Sequence, residues 1–301
     1  MPGIGDVIRV YREARGMSQA ELSGSRCAVS TLSRIENGEH VPSRGVFIKL
    51  MEGLGLPPNI YPSLLNESDK KAFELEHEFN ELYAKGEYEE AEKTLNQLET
   101  MPGLDKVYEQ DIRAYKLFLR QQKGLPPAEA MKEFEEIINS FIKDFAPEKI
   151  KRVVLHKVQI NILNAYAAAC HETGDADTAI KILRELDIFI GNRWGDLEDI
   201  AIVYTKVLYR LSRYVGITGD DEEAVALADK GIKICQRYDR FTAFSSLLYN
   251  KGYGLMRLGR VKEAHKCIQD SYFVSRALGK YEKARLEFTQ KYAEKMGIPL
   301  L

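Results

Sequence analysis

The hexapeptide Gly174-Asp175-Ala176-Asp177-Thr178-Ala179 recurs, glycine always five residues ahead of alanine, as Gly86-Glu87-Tyr88-Glu89-Glu90-Ala91, Gly219-Asp220-Asp221-Glu222-Glu223-Ala224 and Gly259-Arg260-Val261-Lys262-Glu263-Ala264. A looser copy runs Gly124-Leu125-Pro126-Pro127-Ala128-Glu129-Ala130. Each alanine opens a stretch whose apolar residues recur with helical period. The physical reading is a helical hairpin. Glycine ends the first helix in a left-handed conformation, acidic residues sit at the positive end of the second, and the small alanine lets the two helices approach. Such signatures at corresponding places mark a repeat architecture. Tyr281 to Met296 reads as a closing helix, since a stack of repeats needs a covered end.

Upstream the texture differs. Residues 1–66 read as short helices separated by tight turns, and Leu56-Pro57-Pro58-Asn59-Ile60-Tyr61-Pro62 stops one of them. Near Asn66-Glu67-Ser68-Asp69 the chain changes to long, charged, amphipathic helices, which places a domain boundary there. Ser18 followed three residues on by Glu21 is a capping box that starts a helix. Gly16 closes the helix before it, which carries Ile4, Ile8 and Tyr11 on one face. In the stretch Val29–Glu36, Leu32 and Ile35 face inward while Ser30, Ser33 and Arg34 face out, and Asn37-Gly38 ends it. A further helix follows Pro42-Ser43 with Val46, Phe47, Leu50, Met51 and Leu54.

This N-terminal segment resembles the lambda-repressor-like (XRE) helix-turn-helix family. The resemblance is carried by Arg12, Gly16-Met17-Ser18-Gln19-Ala20-Glu21-Leu22, Ser33-Arg34-Ile35-Glu36-Asn37-Gly38 and Pro42-Ser43, over about residues 4–60. It implies five short helices, with the one around Val29–Glu36 lying in the DNA major groove. It implies a structural Arg12–Glu36 ion pair, phosphates held by Gln19 and the backbone after Asn37, and base-facing positions at Val29, Ser30 and Arg34. Ser18, Ser33 and Arg44 complete the candidate DNA-binding set. Two departures stand out. The stretch from Gln19 to Glu36 is one residue shorter than in the phage repressors, and Ala28 stands where a capping Ser or Thr often sits. Val29 offers only a thymine-methyl contact and Ser30 reads permissively, so Arg34 is the strong guanine or phosphate candidate.

The later hairpins are similar to tetratricopeptide repeats, although their alanines lie 39 to 49 residues apart, more than the 34 of a regular repeat. In such a hairpin the second, fifth and ninth positions of the first helix face the concave side. Counting back from Ala179 places Asn161 and Asn164 there. Ala224 places Lys206, Tyr209 and Arg213, and Ala264 places Tyr249 and Tyr253, with Asn250 beside them. Asparagine offers the donor and acceptor that an extended peptide backbone requires. Tyrosines supply apolar walls with a polar tip, and Lys or Arg holds a carboxylate. Trp194, in Gly191-Asn192-Arg193-Trp194-Gly195, reads as a loop anchor.

The expected fold is therefore all-α: a lambda-repressor-like helix-turn-helix domain (1–66) followed by a tetratricopeptide-like helical-hairpin superhelix (67–301) for sensing and dimerisation. The combination resembles the Gram-positive peptide-sensing (RRNPP) quorum-sensing regulators. That resemblance implies a homodimer on double-stranded DNA, controlled by a short signalling peptide in the concave groove. The alternative is a helix-turn-helix scaffold whose repeats bind a folded protein partner.

Composition sets the outer limits. A net charge of −2 argues against indiscriminate coating of nucleic acid, and residues 1–66 are nearly neutral, so DNA binding must rest on charge placement. The longest mid-chain stretch without Asp, Glu, Lys or Arg runs from Val158 to His171, too short to span a bilayer. With no apolar signal core at the N-terminus, a cytoplasmic location without membrane association is expected. Cys27, Cys170, Cys235 and Cys267 are scattered, and His77, His156, His171 and His265 lack metal or catalytic spacing. No cofactor, metal or enzyme activity is expected.

Overall fold

The computed structural model describes residues 4–56, 67–104, 106–153, 155–192, 200–278 and 283–299, and among them the regular structure is entirely helical. Four short helices come first: α1 (Ile4–Ala14), α2 (Gln19–Ser23), α3 (Val29–Glu36) and α4 (Arg44–Gly53). Ser18 caps α2 by the capping box its sequence implies, and Ser43 caps α4 by accepting from the Val46 N–H. Ile8, Leu22, Leu32, Ile35, Leu50, Met51 and Leu54 are sealed from solvent in one core. At about 1.5–3 kcal/mol per fully buried aliphatic side chain, this cluster is what holds four helices too short to persist alone. The fifth helix implied by the resemblance, and the boundary at residue 66, fall at positions outside the described residues.

The remaining helices are α5 (Glu67–Lys85), α6 (Tyr88–Glu99), α7 (Lys106–Gln122), α8 (Pro127–Asn139), α9 (Lys157–Glu172), α10 (Ala176–Gly191), α11 (Ala201–Thr218), α12 (Asp221–Arg237), α13 (Phe244–Arg257), α14 (Val261–Leu278) and α15 (Lys283–Met296). From α5 to α14 they pair into hairpins at the places the glycine–alanine signature marks. Gly86, Gly124, Gly174, Gly219 and Gly259 all have φ between +75° and +101°. The residue after each glycine donates its N–H to the carbonyl five residues back, for example Asp175 to Cys170 and Arg260 to Leu255. This is the left-handed helix stop, which a side chain at the glycine would strain. Asp175 and Asp220 then cap the following helices through the Thr178 and Glu223 N–H groups. Ala91, Ala130, Ala179, Ala224 and Ala264 are buried at the crossings.

The chain separates into two compact units, the first running to Tyr166 and the second starting at Ala167 (Asn192 returns to the first). In the first unit Tyr115 links α7 to α5 through a hydrogen bond to Glu76, and His156 lies buried 3.7 Å from Asp111. In the second, α11 packs on α12, α12 on α13, and α13 on α14. Tyr204 of α11 donates to Asp187 of α10, which also pairs with Lys230 of α12. Ala293 of α15 and Ile298 share a core with Tyr249 and Ile268, so α15 covers the last hairpin as a closing helix. Tyr281, expected at its start, and Trp194 lie outside the described residues.

Candidate nucleic-acid interface and repeat face

The α1–α3 packing is built around one buried charge pair. Arg12 sends Nε to Glu36 Oε1 at 2.6 Å and Nη2 to Glu36 Oε2 at 2.8 Å, and its Nη1 donates to the Met17 carbonyl at 2.8 Å. Gln19, half-buried at the start of α2, adds a bond from Nε2 to Glu36 Oε2 at 2.8 Å. Burial pushes the Glu36 carboxyl up, but the hydrogen bonds from Arg12 and Gln19, with the Arg12 charge, outweigh it and hold the group below its ordinary range. The same hydrogen bond raises Arg12 against its own desolvation. Helices α1, α2 and α3 thus meet at a single bidentate pair.

With Leu32, Ile35 and Glu36 turned inward, α3 presents the opposite face. Val29, Ser30, Arg34 and Asn37 are exposed, and Ser33 is half-buried. Arg34 has a long ion pair of 3.9 Å to Glu39, both side chains about 60% solvated, so water competes freely for it. Ser18 spends its hydroxyl on Glu21, and Gln19 spends an amide hydrogen on Glu36. Ala28 makes no side-chain cap, leaving the first turn of α3 without one. Arg44 opens α4, but its side chain lies outside the described residues.

The candidate repeat-face residues divide between the units. In the first, Asn161 is half-buried, whereas Asn164 is 1% exposed and its Oδ1 accepts no hydrogen bond from any described residue. A buried amide oxygen without a donor is costly. In the second unit, Lys206 and Tyr209 are half-buried and Arg213 is exposed, 3.4 Å from the Tyr209 hydroxyl. Beside them His171 stacks on Tyr214 at 3.8 Å. Burial and then the Arg213 charge keep His171 below its ordinary range. Tyr249 belongs to the core, in ring contact with Tyr253 and with Tyr292 of α15, while Tyr253 is partly exposed. Asn250 donates both amide hydrogens, to the Tyr209 carbonyl at 3.0 Å and to Ser212 Oγ at 2.9 Å, tying α13 to α11.

Sequence reasoning passed over two residues of the N-terminal domain. Gly5 lies against the backbone of α3, and Arg26 lies against Gly53. A glycine inside an apolar helical stripe was the available signal for the first, because such a residue usually has a packing reason. The second carries no signal at all.

Comparison with known proteins agrees with this geometry. Residues 4–59 match the family described as a helix-turn-helix domain. Uncharacterized HTH-type transcriptional regulators of Mycobacterium bovis and Mycobacterium tuberculosis are 41% identical over 70 residues, 23% of this chain. The similarity spans only 27% of each of those proteins. Among solved structures, Bacillus thuringiensis PlcR in complex with the peptide PapR7 and DNA superposes with a TM-score of 0.60 at 20% identity, covering 96% of this chain and 99% of that one. The apo form of the competence regulator ComR from Streptococcus vestibularis gives 0.57 at 16% identity, with 98% of both chains covered. ComR from S. thermophilus, with DNA and its signalling peptide ComS, gives 0.55 at 16% identity over 98% of this chain and all of that one. The shared property is the fold: an N-terminal helix-turn-helix domain followed by helical hairpins along the whole chain.

Proposed function

We propose that this chain is a DNA-binding transcriptional regulator that works as a homodimer, in the cytoplasm, and responds to a short peptide held by its repeat helices. The observation that carries the DNA-binding half is α3. Its apolar side is anchored by Leu32 and Ile35, its acidic end is neutralised by Arg12, and Val29, Ser30 and Arg34 are left outward on a solvated face. Arg34 is the side chain able to make a bidentate contact with guanine. Arg34→Ala is expected to weaken binding to a duplex enriched from a randomised pool by about 1–3 kcal/mol, read by fluorescence anisotropy. Unchanged affinity removes Arg34 from the readout.

The peptide half is supported by Asn164, whose buried Oδ1 would accept from a backbone N–H of an extended ligand. Asn161 is its proposed companion in the same unit; in the other unit, Lys206, Tyr209, Arg213, Tyr249, Asn250 and Tyr253 are a separate set of proposed ligand contacts. That no described helix is long and apolar enough to cross a membrane is compatible with this role. Native mass spectrometry of freshly purified protein tests both partners. A dimer mass with a retained peptide is expected for the parent chain. Asn164→Ala should lose that peptide mass with its circular dichroism unchanged. Full retention by the variant excludes Asn164 as a contact, and a bare monomer sinks the peptide and dimer readings together.

A further inference from the structure

We propose that Arg26 is the positioning residue of the DNA-reading helix: its guanidinium, laid on Gly53, fixes the turn between α2 and α3 and so sets the pose of α3. This inference rests on the DNA-binding reading above and adds to it the device that orients the reader.

The turn is short. Only Gly24 to Ala28 separate α2 from α3. Arg26 sits in its middle and reaches back to the end of α2. Its Nη1 donates to the Leu22 carbonyl at 3.0 Å and lies 3.5 Å from that of Glu21. These are the carbonyls that a helix end leaves without internal partners, and a cation there also meets the negative end of the helix. The same side chain passes over α4 at Gly53. A Cβ built on Gly53 would stand 2.5 Å from Arg26 Nε, 2.7 Å from Cζ and 3.1 Å from Cδ. No residue but glycine leaves room for the plate in this position.

Burial confirms the confinement. Arg26 Nε is closed off from solvent and has no hydrogen-bond partner among the described residues. Desolvation lowers the guanidinium below its ordinary range, and the charge of Glu52 on α4 offsets part of that loss. An arginine held at this cost is held by shape. Besides Arg26, the start of α3 is held by the Arg26 and Cys27 N–H bonds to the Ser23 carbonyl and by Cys27 against the core, while Ala28 gives no cap and Val29 and Ser30 are solvated. Two residues separate Arg26 from Val29, so a rotation of the turn passes directly into the α3 axis. Base readout tolerates little such rotation, whereas contact with phosphates is forgiving.

The test uses the full chain and two duplexes of equal length, one enriched from a randomised pool by the parent protein and one unrelated. Gly53→Ala and Arg26→Ala are each expected to weaken binding to the enriched duplex about tenfold, the worth of one lost base contact. Affinity for the unrelated duplex, and its dependence on salt, should not move. The two changes should also be coupled, with Gly53→Ala costing less than twofold once Arg26 is gone. Should Arg26→Ala fail to fold, Arg26→Lys, which keeps the charge without the flat plate, replaces it in the same comparison. Equal losses on both duplexes, a lowered melting temperature with unchanged preference, or independent effects overturn the inference while leaving DNA binding intact. Failure of the parent protein to enrich any duplex overturns the DNA-binding reading itself, and this inference with it.

Discussion

Gly5→Ala is expected to unfold the N-terminal helix-turn-helix domain. In a free helix the same change would help, since alanine is favoured over glycine by about 1 kcal/mol. Here the added Cβ would fall onto the Ile35 carbonyl oxygen, 2.7 Å from its carbon and 3.1 Å from Glu36 Cα. These are backbone atoms, so no side chain can rotate out of the way. The helix α1 would have to lift from α3, withdrawing Ile8 and Ile4 from the core and separating Arg12 from Glu36. Overpacking ordinarily costs about 1–3 kcal/mol, and contact with rigid backbone lies at or above the top of that range. A domain of this size has only roughly 3–8 kcal/mol in total. The clash wins over propensity. Limited proteolysis should cut the variant within residues 4–56 while the repeat helices survive, and DNA binding should disappear. A variant as resistant as the parent would mean that the two helices do not approach so closely.

Glu36→Ala is the second large effect, expected at about 3–5 kcal/mol, because removing one member of a buried pair strands the other. Arg12 would keep the Met17 carbonyl and a looser 3.5 Å pair with the exposed Glu13, in a site where little solvent reaches its guanidinium. Removing both charges together, as in a double change of Arg12 and Glu36 to apolar residues, should cost much less. Acid reports the same pair. The folded Glu36 carboxyl titrates below its ordinary 4.5, so its contribution to stability is complete above that value. It is lost as pH falls through the lower, folded value. Glu36→Gln should therefore lower stability near neutrality and flatten the acid limb in that window, read by melting temperature against pH. An unaltered acid limb would remove the pair from the account of stability.

What the sequence disclosed was whatever local chemistry determines. The turn glycines, the Ser18 capping box, the acidic residues after the glycines and the crossing alanines act within one helical turn of themselves. Their spacing is therefore enough to place the hairpins. The α3 face was legible for the same reason: Leu32 and Ile35 define its inward side, and the outward residues follow by period. The repeat face was only half legible. Counting gives the phase of a residue around its helix, not the identity of its neighbour. Tyr249 and Asn250 were counted onto an open surface, yet Tyr249 is covered by α15 and Asn250 is engaged with α11. Arg26 on Gly53 and Gly5 on Ile35 join residues far apart in the chain with no shared period. Nothing short of three dimensions brings them together.

The bond pattern at Asn250 makes that residue a latch. Its nitrogen has two hydrogens, and both are already given, one to a main-chain oxygen of the neighbouring hairpin and one to a hydroxyl there. A guest that asks for either must take it from α11. A group that took either hydrogen would ease one hairpin away from the next, so its arrival at the Asn250 nitrogen would be felt as play between them.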